Sequence, residues 1–143
     1  MKLPLSVLIV VHTAGREVLL LERAARPGFW QSVTGSLDSP DERFEAAAAR
    51  ELHEETGIDA AQGGLKRWNV AYTFEIYAQW RHRFAPGVTH NTEHLFSFEL
   101  VRRVPVILER QEHTAFAWLP WREAAEKCFS WSNRDAIRML GGI

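Results

Sequence analysis

The sequence predicts an α/β protein built on a mixed sheet. Short runs rich in Val, Ile, Leu and aromatic residues recur on both sides of one strongly marked helix, and a second helical pattern lies near the C-terminus. Leu5 to Val11 and Val18 to Leu21 read as strands, with Thr13-Ala14-Gly15-Arg16 as the hairpin turn between them. Trp30 to Val33 supplies a third short strand. Leu65 to Trp80 and Leu95 to Val101 carry β-branched and aromatic residues, flank a polar segment containing Ala85-Pro86-Gly87, and read as two more. Ala115 to Leu119 adds another strand, and Asn133 to Leu140 reads as a helix with Ser132 as its N-cap. The best-marked element is a helix over Pro40 to Thr56. Ser39 stands at the N-cap, Pro40 at the first helical position and Glu42 at the third, while Gly57 offers the left-handed stop.

No repeat, low-complexity tract or linker divides the 143 residues, so residues 1–143 are expected to form one domain. Hydrophobic residues make up 46% and charged residues 24%, which excludes the low-hydrophobicity signature of disorder. A formal net charge of −1 gives no basic field for nucleic acid or anionic membrane, so any anion must be bound locally. The apolar run ending near Val11 is too short to cross a bilayer and lacks a small-residue cleavage site. Cys128 stands alone, which excludes an internal disulfide and points to the cytoplasm. The expected partner is a small molecule, for a monomer or small homo-oligomer.

The marked helix carries acid where it should carry hydrocarbon. At 100° per residue Phe44, Ala47, Ala48 and Leu52 share one side, which must face inward. Glu51 lies near the middle of that arc, Glu55 one turn further along it, and Glu54 on its flank. Like charges at i,i+4 repel, and partial burial makes the ionised pair far more costly. One guanidinium, Arg50, is too little to neutralise three carboxylates, whereas a hard divalent cation with oxygen ligands suffices. Magnesium, or manganese, is favoured over zinc because the six histidines are scattered and no Cys/His spacing suits zinc. His113 reads as a polar loop or edge residue.

The segment Gly35-x6-Glu42-x7-Arg50-Glu51-Leu52-x-Glu54-Glu55-x-Gly57-Ile58 resembles the Nudix box, the signature of hydrolases that cleave nucleoside diphosphates linked to another group. The family pattern has five residues between the first Gly and the first Glu; here there are six, the extra one falling in the loop Ser36 to Ser39. A narrower resemblance rests on Phe29 to Ser36, Phe74-Glu75-Ile76, Arg81 to Thr89, Asn91-Thr92-Glu93 and Ser130 to Arg134. These blocks are similar to the Nudix branch that releases pyrophosphate from 7,8-dihydroneopterin triphosphate in folate biosynthesis, with relatives active on dATP and other nucleoside triphosphates. The resemblance implies an α/β/α sandwich around a mixed sheet. Two other readings stand beside it: a general housecleaning nucleoside triphosphate pyrophosphohydrolase, and a catalytically silent nucleotide-binding module.

By the same resemblance, Glu51, Glu54 and Glu55 are the catalytic cluster, and Glu51, Glu55 and Glu112 the metal ligands. Arg50 is a structural support that orients a glutamate, with Gly35 and Gly57 fixing the box at its two ends. Lys2 and Arg23 are candidates for phosphate contacts, and Thr34 and Ser130 for hydroxyl or backbone contacts to substrate. Phe74, Glu75, Ile76 and Tyr77 alternate as on a strand, and a carboxylate beside an aromatic ring suits a pterin. In that reading Glu75 accepts from the ring's N–H edge while an aromatic side chain stacks on its face.

Overall fold

The apolar runs Val7 to Val11 and Val18 to Leu21 are buried on both faces, which makes their strands central ones, and helices must cover each side. The computed structural model describes residues 1–143. Strands β1 (Leu5–Thr13) and β2 (Glu17–Arg23) pair antiparallel around a turn in which Arg16 adopts φ 64°. β3 (Trp30–Gln31) pairs with β2, and β4 (Val33–Ser36) pairs antiparallel with β1. β5 (Gly64–Glu75) and β6 (His90–Leu100) are antiparallel neighbours, and β6 runs parallel to β1 from Leu5↔Thr92 to Thr13↔Leu100. β7 (His113–Pro120) pairs with β2 and completes one seven-stranded mixed sheet.

One face of β1 buries Val7, Ile9 and Val11 against Ala47, Ala48 and Leu52 of helix α1 (Phe44–Thr56). The other buries Leu8 and Val10 with Ala124 and Ala125 of α2 (Trp121–Lys127) and Ala136 and Ile137 of α3 (Trp131–Gly141). The small helix residues let the backbones approach closely, and the result is an α/β/α sandwich. β4 threads between its two sides: Thr34, opposite Leu8, belongs to the α3 side, and Gly35, opposite Val7, to the α1 side.

Several boundaries differ from the sequence reading. α1 begins at Phe44, not Pro40, and the N-cap position is Arg43, whose side chain makes no cap bond. Ser39 and Pro40 form a turn instead, in which Glu42 N–H donates to Ser39 C=O at 3.2 Å. Glu42 is not a capping residue because Arg50 claims its carboxylate. The far end is as expected: Gly57 takes φ 74° and its N–H donates to His53 C=O. The strand expected to reach Trp80 stops at Glu75, after which Ala78–Arg83 winds into a 3-10 turn. The cap of α3 is Ser130, which accepts from Asn133 N–H at 3.3 Å, while Ser132 lies inside the helix and is buried. α2 went unread because seven residues with two buried alanines leave no helical period to detect. No helix is long and apolar enough to cross a membrane.

Candidate active site

A cleft of about 830 Å³ opens at the end of the sheet where β1, β4 and α1 meet the turn before β7 and the start of α3. Glu51, Glu54, Glu55 and Glu112 line one part of it. Glu51 and Glu55 point inward from α1 and are 9% and 2% exposed, while Glu54 stays at the surface beside Arg50. Glu55, Glu112 and His113 bring ligand atoms within 4.8 Å of one another, with His113 Nδ1 3.7 Å from Glu55 Oε1. Both carboxyl oxygens of Glu55 and the Nδ1 of His113 are buried without a hydrogen-bond partner. Burial, then the neighbouring Glu51 and Glu112, pushes the Glu55 carboxyl well above the ordinary carboxylate range. Burial raises Glu51 as well, with Arg50 acting in the opposite direction. His113 brings no compensating charge, because burial and the nearby Arg23 push its imidazole down to about 4. An acidic pocket with the orphaned oxygen acceptors of Glu55 fits a hard divalent cation, which would meet the carboxylates of Glu55 and Glu112 beside His113, with Glu51 lining the same pocket.

Arg50 holds this cluster in place without lining the cleft. Its guanidinium meets Glu42 bidentately at 2.9 and 3.0 Å, donates to Glu51 Oε1 at 2.9 Å and to Ser36 C=O at 3.2 Å, and reaches Glu54 at 3.4 Å. The additional loop residue therefore leaves the Glu42–Arg50 pair intact. Gly35 is needed for space: a Cβ there would lie 2.1–2.4 Å from the carboxyl atoms of Glu51. Gly57 lies away from the cleft and acts only as the stop of α1.

The other predicted residues also converge. Lys2 and Arg23 line the cleft together with Arg83, and Lys2 is positioned by its own N–H donating to Arg83 C=O at 2.8 Å. Burial and then Arg83 and Arg23 depress the Lys2 pKa, while Glu112 and Glu51 act in the opposite direction. Arg23 stacks over the Trp80 ring at 4.8 Å and keeps its Nε buried and unpartnered. Thr34, Phe74, Ile76, Tyr77 and Ser130 all line the cleft, although Ser130 already serves as the α3 cap. Glu75 also lines the cleft, exposed at its rim and paired with Arg81 at 3.0 Å.

Sequence reasoning gave no site role to His113 or to the strand residues Asn91 and Glu93, although the last two lie in a block that carries the narrower resemblance. His113 opens the edge strand β7, as a loop or edge residue would, but it is 3% exposed and sits against Glu55, and its one sequence signal was adjacency to Glu112. Asn91, Glu93, Leu95 and Ser97 alternate inward along β6, a pattern hidden by starting that strand at Leu95.

The NUDIX domain model matches residues 2–140, and the chain belongs to the Nudix hydrolase family. Divalent metal use and small phosphate-bearing substrates are general in that family, and the acidic pocket accords with both. Within it, the chain is 42% identical to the dihydroneopterin triphosphate diphosphatase of Escherichia coli K12 over 142 residues, 97% of this chain and 93% of that relative. It is 38% identical to the Haemophilus influenzae enzyme of the same name over 137 residues, 93% of this chain and 84% of the relative. The solved structure of the E. coli dihydroneopterin triphosphate pyrophosphohydrolase superposes with a TM-score of 0.90, covering 97% of this chain and 95% of that one.

Proposed function

We propose that this chain is a Mg²⁺-dependent dihydroneopterin triphosphate diphosphatase, converting 7,8-dihydroneopterin triphosphate to the monophosphate and pyrophosphate. The observation that carries the reading is an orphaned acidic cluster at one end of an aromatic-walled cleft, in a chain 42% identical to the E. coli enzyme of that name. The reading takes residues 1–143 as one catalytic domain and places it in the cytoplasm, the support for the latter being the single, buried and unpaired Cys128. Mn²⁺ is the expected substitute for Mg²⁺ in an all-oxygen carboxylate set.

A bound divalent ion supplies charge neutralisation and a more acidic water. The residues of the chain do the rest. Glu51 and Glu55 on α1 and Glu112 on the turn before β7 are the residues that would hold the ion. The Glu51, Glu54 and Glu55 cluster takes the proton of the attacking water, and Arg50 keeps Glu51 and Glu54 from rotating away. Lys2 and Arg23 bind the phosphate oxygens: their mutual repulsion and the unpartnered Arg23 Nε are relieved by an anion. Phe74, Ile76 and Tyr77 form the wall for a ring, and Thr34 and Ser130 offer hydroxyls at its edge.

The test is pyrophosphate release by the purified protein from dihydroneopterin triphosphate and, in parallel, from the four dNTPs, with Mg²⁺ and with EDTA. The expected result is a kcat/KM at least tenfold higher for the pterin, abolished by EDTA. Equal or better rates on dNTPs would replace the pterin reading with that of a general nucleoside triphosphate hydrolase. Absence of metal-dependent release from every substrate would leave a binding module.

A further inference from the structure

Glu93 is a carboxylate in the wrong place for a structural residue. It is 7% exposed, lies on the α3 side of the sheet and lines the cleft, yet no cation pairs with it. Its partners are neutral: the Thr34 hydroxyl at 3.0 Å and the neighbouring Ser132. Burying an unpaired carboxylate costs several kcal/mol, so something beyond packing must account for it. Two residues back on the same face, Asn91 donates through Nδ2 to Ser6 Oγ at 2.8 Å and leaves its Oδ1 buried and unpartnered. The cleft thus has a floor of one unpartnered acceptor, Asn91 Oδ1, beside a carboxylate bonded only to neutral hydroxyls, with Trp80, Phe129 and Phe74 among its walls.

We infer that Asn91 and Glu93 are the specificity-determining pair that reads the donor edge of a 2-amino-4-oxopyrimidine ring, the edge shared by pterins and guanine. Such a ring presents a ring N–H and an exocyclic amino group side by side, which match the two oxygens of one carboxylate as a bidentate pair. The remaining amino hydrogen falls to Asn91 Oδ1, about 6–7 Å along the strand. Adenine instead presents one donor beside one acceptor, so its ring nitrogen would face a carboxylate oxygen. Thr34 and Gly35 then link the two ends of the substrate site, since Thr34 contacts Glu93 while Gly35 abuts Glu51. The inference rests on the proposed pyrophosphohydrolase reading and gives the base-edge role to this buried pair, deeper in the cleft than the exposed Glu75 at its rim.

The experiment measures kcat and KM of wild type, Glu93→Gln and Asn91→Ala on dihydroneopterin triphosphate, dGTP and dATP, together with equilibrium binding of neopterin followed by its fluorescence in EDTA. Glu93→Gln keeps the volume and removes the paired acceptors. The expected result is a fall of about 10- to 100-fold in the kcat/KM ratio of pterin to dATP and of dGTP to dATP. The change lies mainly in KM, with weakened neopterin binding and a smaller shift in the same direction for Asn91→Ala. Equal losses on all three substrates, or an unchanged ratio, would overturn the inference and leave the proposed activity standing. A wild type inactive on the pterin would remove the proposed substrate, and the dGTP to dATP ratio would still decide the role of the pair.

Discussion

Single side chains in this cleft are held in states that cost stability, and each cost gives a measurable handle. Glu55 is almost fully buried with no donor to either oxygen, so Glu55→Gln removes a penalty in the metal-free protein while deleting a central ligand. The variant should fold with an unchanged or higher Tm in EDTA and lose about 10²-fold or more of kcat at saturating Mg²⁺, a loss of the size general acid–base groups command. Unchanged kcat would take Glu55 out of the mechanism. Gly35→Ala asks for the same carboxylates from the other side: its methyl carbon would need space within 2.4 Å of the Glu51 carboxyl. Circular dichroism should show the fold retained while activity collapses, because Glu51 has to swing away from the ion. Glu93 supplies the pH dependence. Burial raises its pKa from 4.5 to about 7, and the groups around it, Ser6, Thr34, Tyr72 and Ser132, include none that is charged at neutral pH. The folded state therefore holds a proton that the unfolded chain releases; the stability from this group is full below pH 4.5 and is lost as pH rises through 7. The loss amounts to at most about 3 kcal/mol. Glu93→Gln should thus have a Tm roughly 5–10 °C above wild type at pH 8 and close to it at pH 4.5, and parallel melting curves across that range would show the burial to be harmless.

At the scale of elements, α1 is where most of the function is written, and its two ends were unequally legible. The C-terminal stop was readable because only glycine adopts φ 74° cheaply, and Gly57→Ala should cost about 1 kcal/mol or more by strain at that φ. The Ile107 Cβ, 3.2 Å from the added methyl, adds to it, and chemical denaturation would show the loss as a lower midpoint with an unchanged slope. The N-terminal start was misplaced by four residues because Ser39-Pro40-Asp41-Glu42 has the composition of a capping box, while a tertiary partner overrides the local signal: Arg50 takes the Glu42 carboxylate. Sequence windows see caps and periods, not a guanidinium two turns further along. That same clamp predicts a sharp difference between substitutions. Arg50→Lys keeps the charge but loses the fork that bridges Glu42, Glu51 and Ser36 C=O, so it should rescue little of the activity lost in Arg50→Ala, whereas a purely electrostatic role would make lysine nearly as good as arginine. Strands were legible where a continuous apolar run is bounded by turn residues, as in β1 and β2, and overextended where a polar stretch ends in aromatics, as from Ile76 to Trp80.

At the scale of the molecule, the sandwich collects what the chain scatters. The acidic face of α1 was legible because carboxylates interrupt an apolar arc, and Glu112 because its motif position carried it. His113, Asn91 and Glu93 were not, since their roles depend on the parallel pairing of β1 with β6 and on the turn that carries Glu112 and His113 against Glu55. That convergence makes the whole fold sensitive to the ion. In the metal-free protein the buried carboxylates of Glu51 and Glu55 oppose folding by burial and by each other's proximity, and an ion that binds only the folded state stabilises it by mass action. At an Mg²⁺ concentration 100 times its dissociation constant the gain is about 2.7 kcal/mol, or roughly 5–10 °C in Tm for a domain of this size. The measurement is a thermal melt over a MgCl₂ series, against NaCl at matched ionic strength and with EDTA as the zero point. Wild type should rise with MgCl₂ alone, and Glu55→Gln should start as high or higher and respond weakly. An equal rise in both proteins would place the ion elsewhere, because a cation attracted only by the surface acids Asp38 and Glu54 has no reason to distinguish a buried glutamate from its amide.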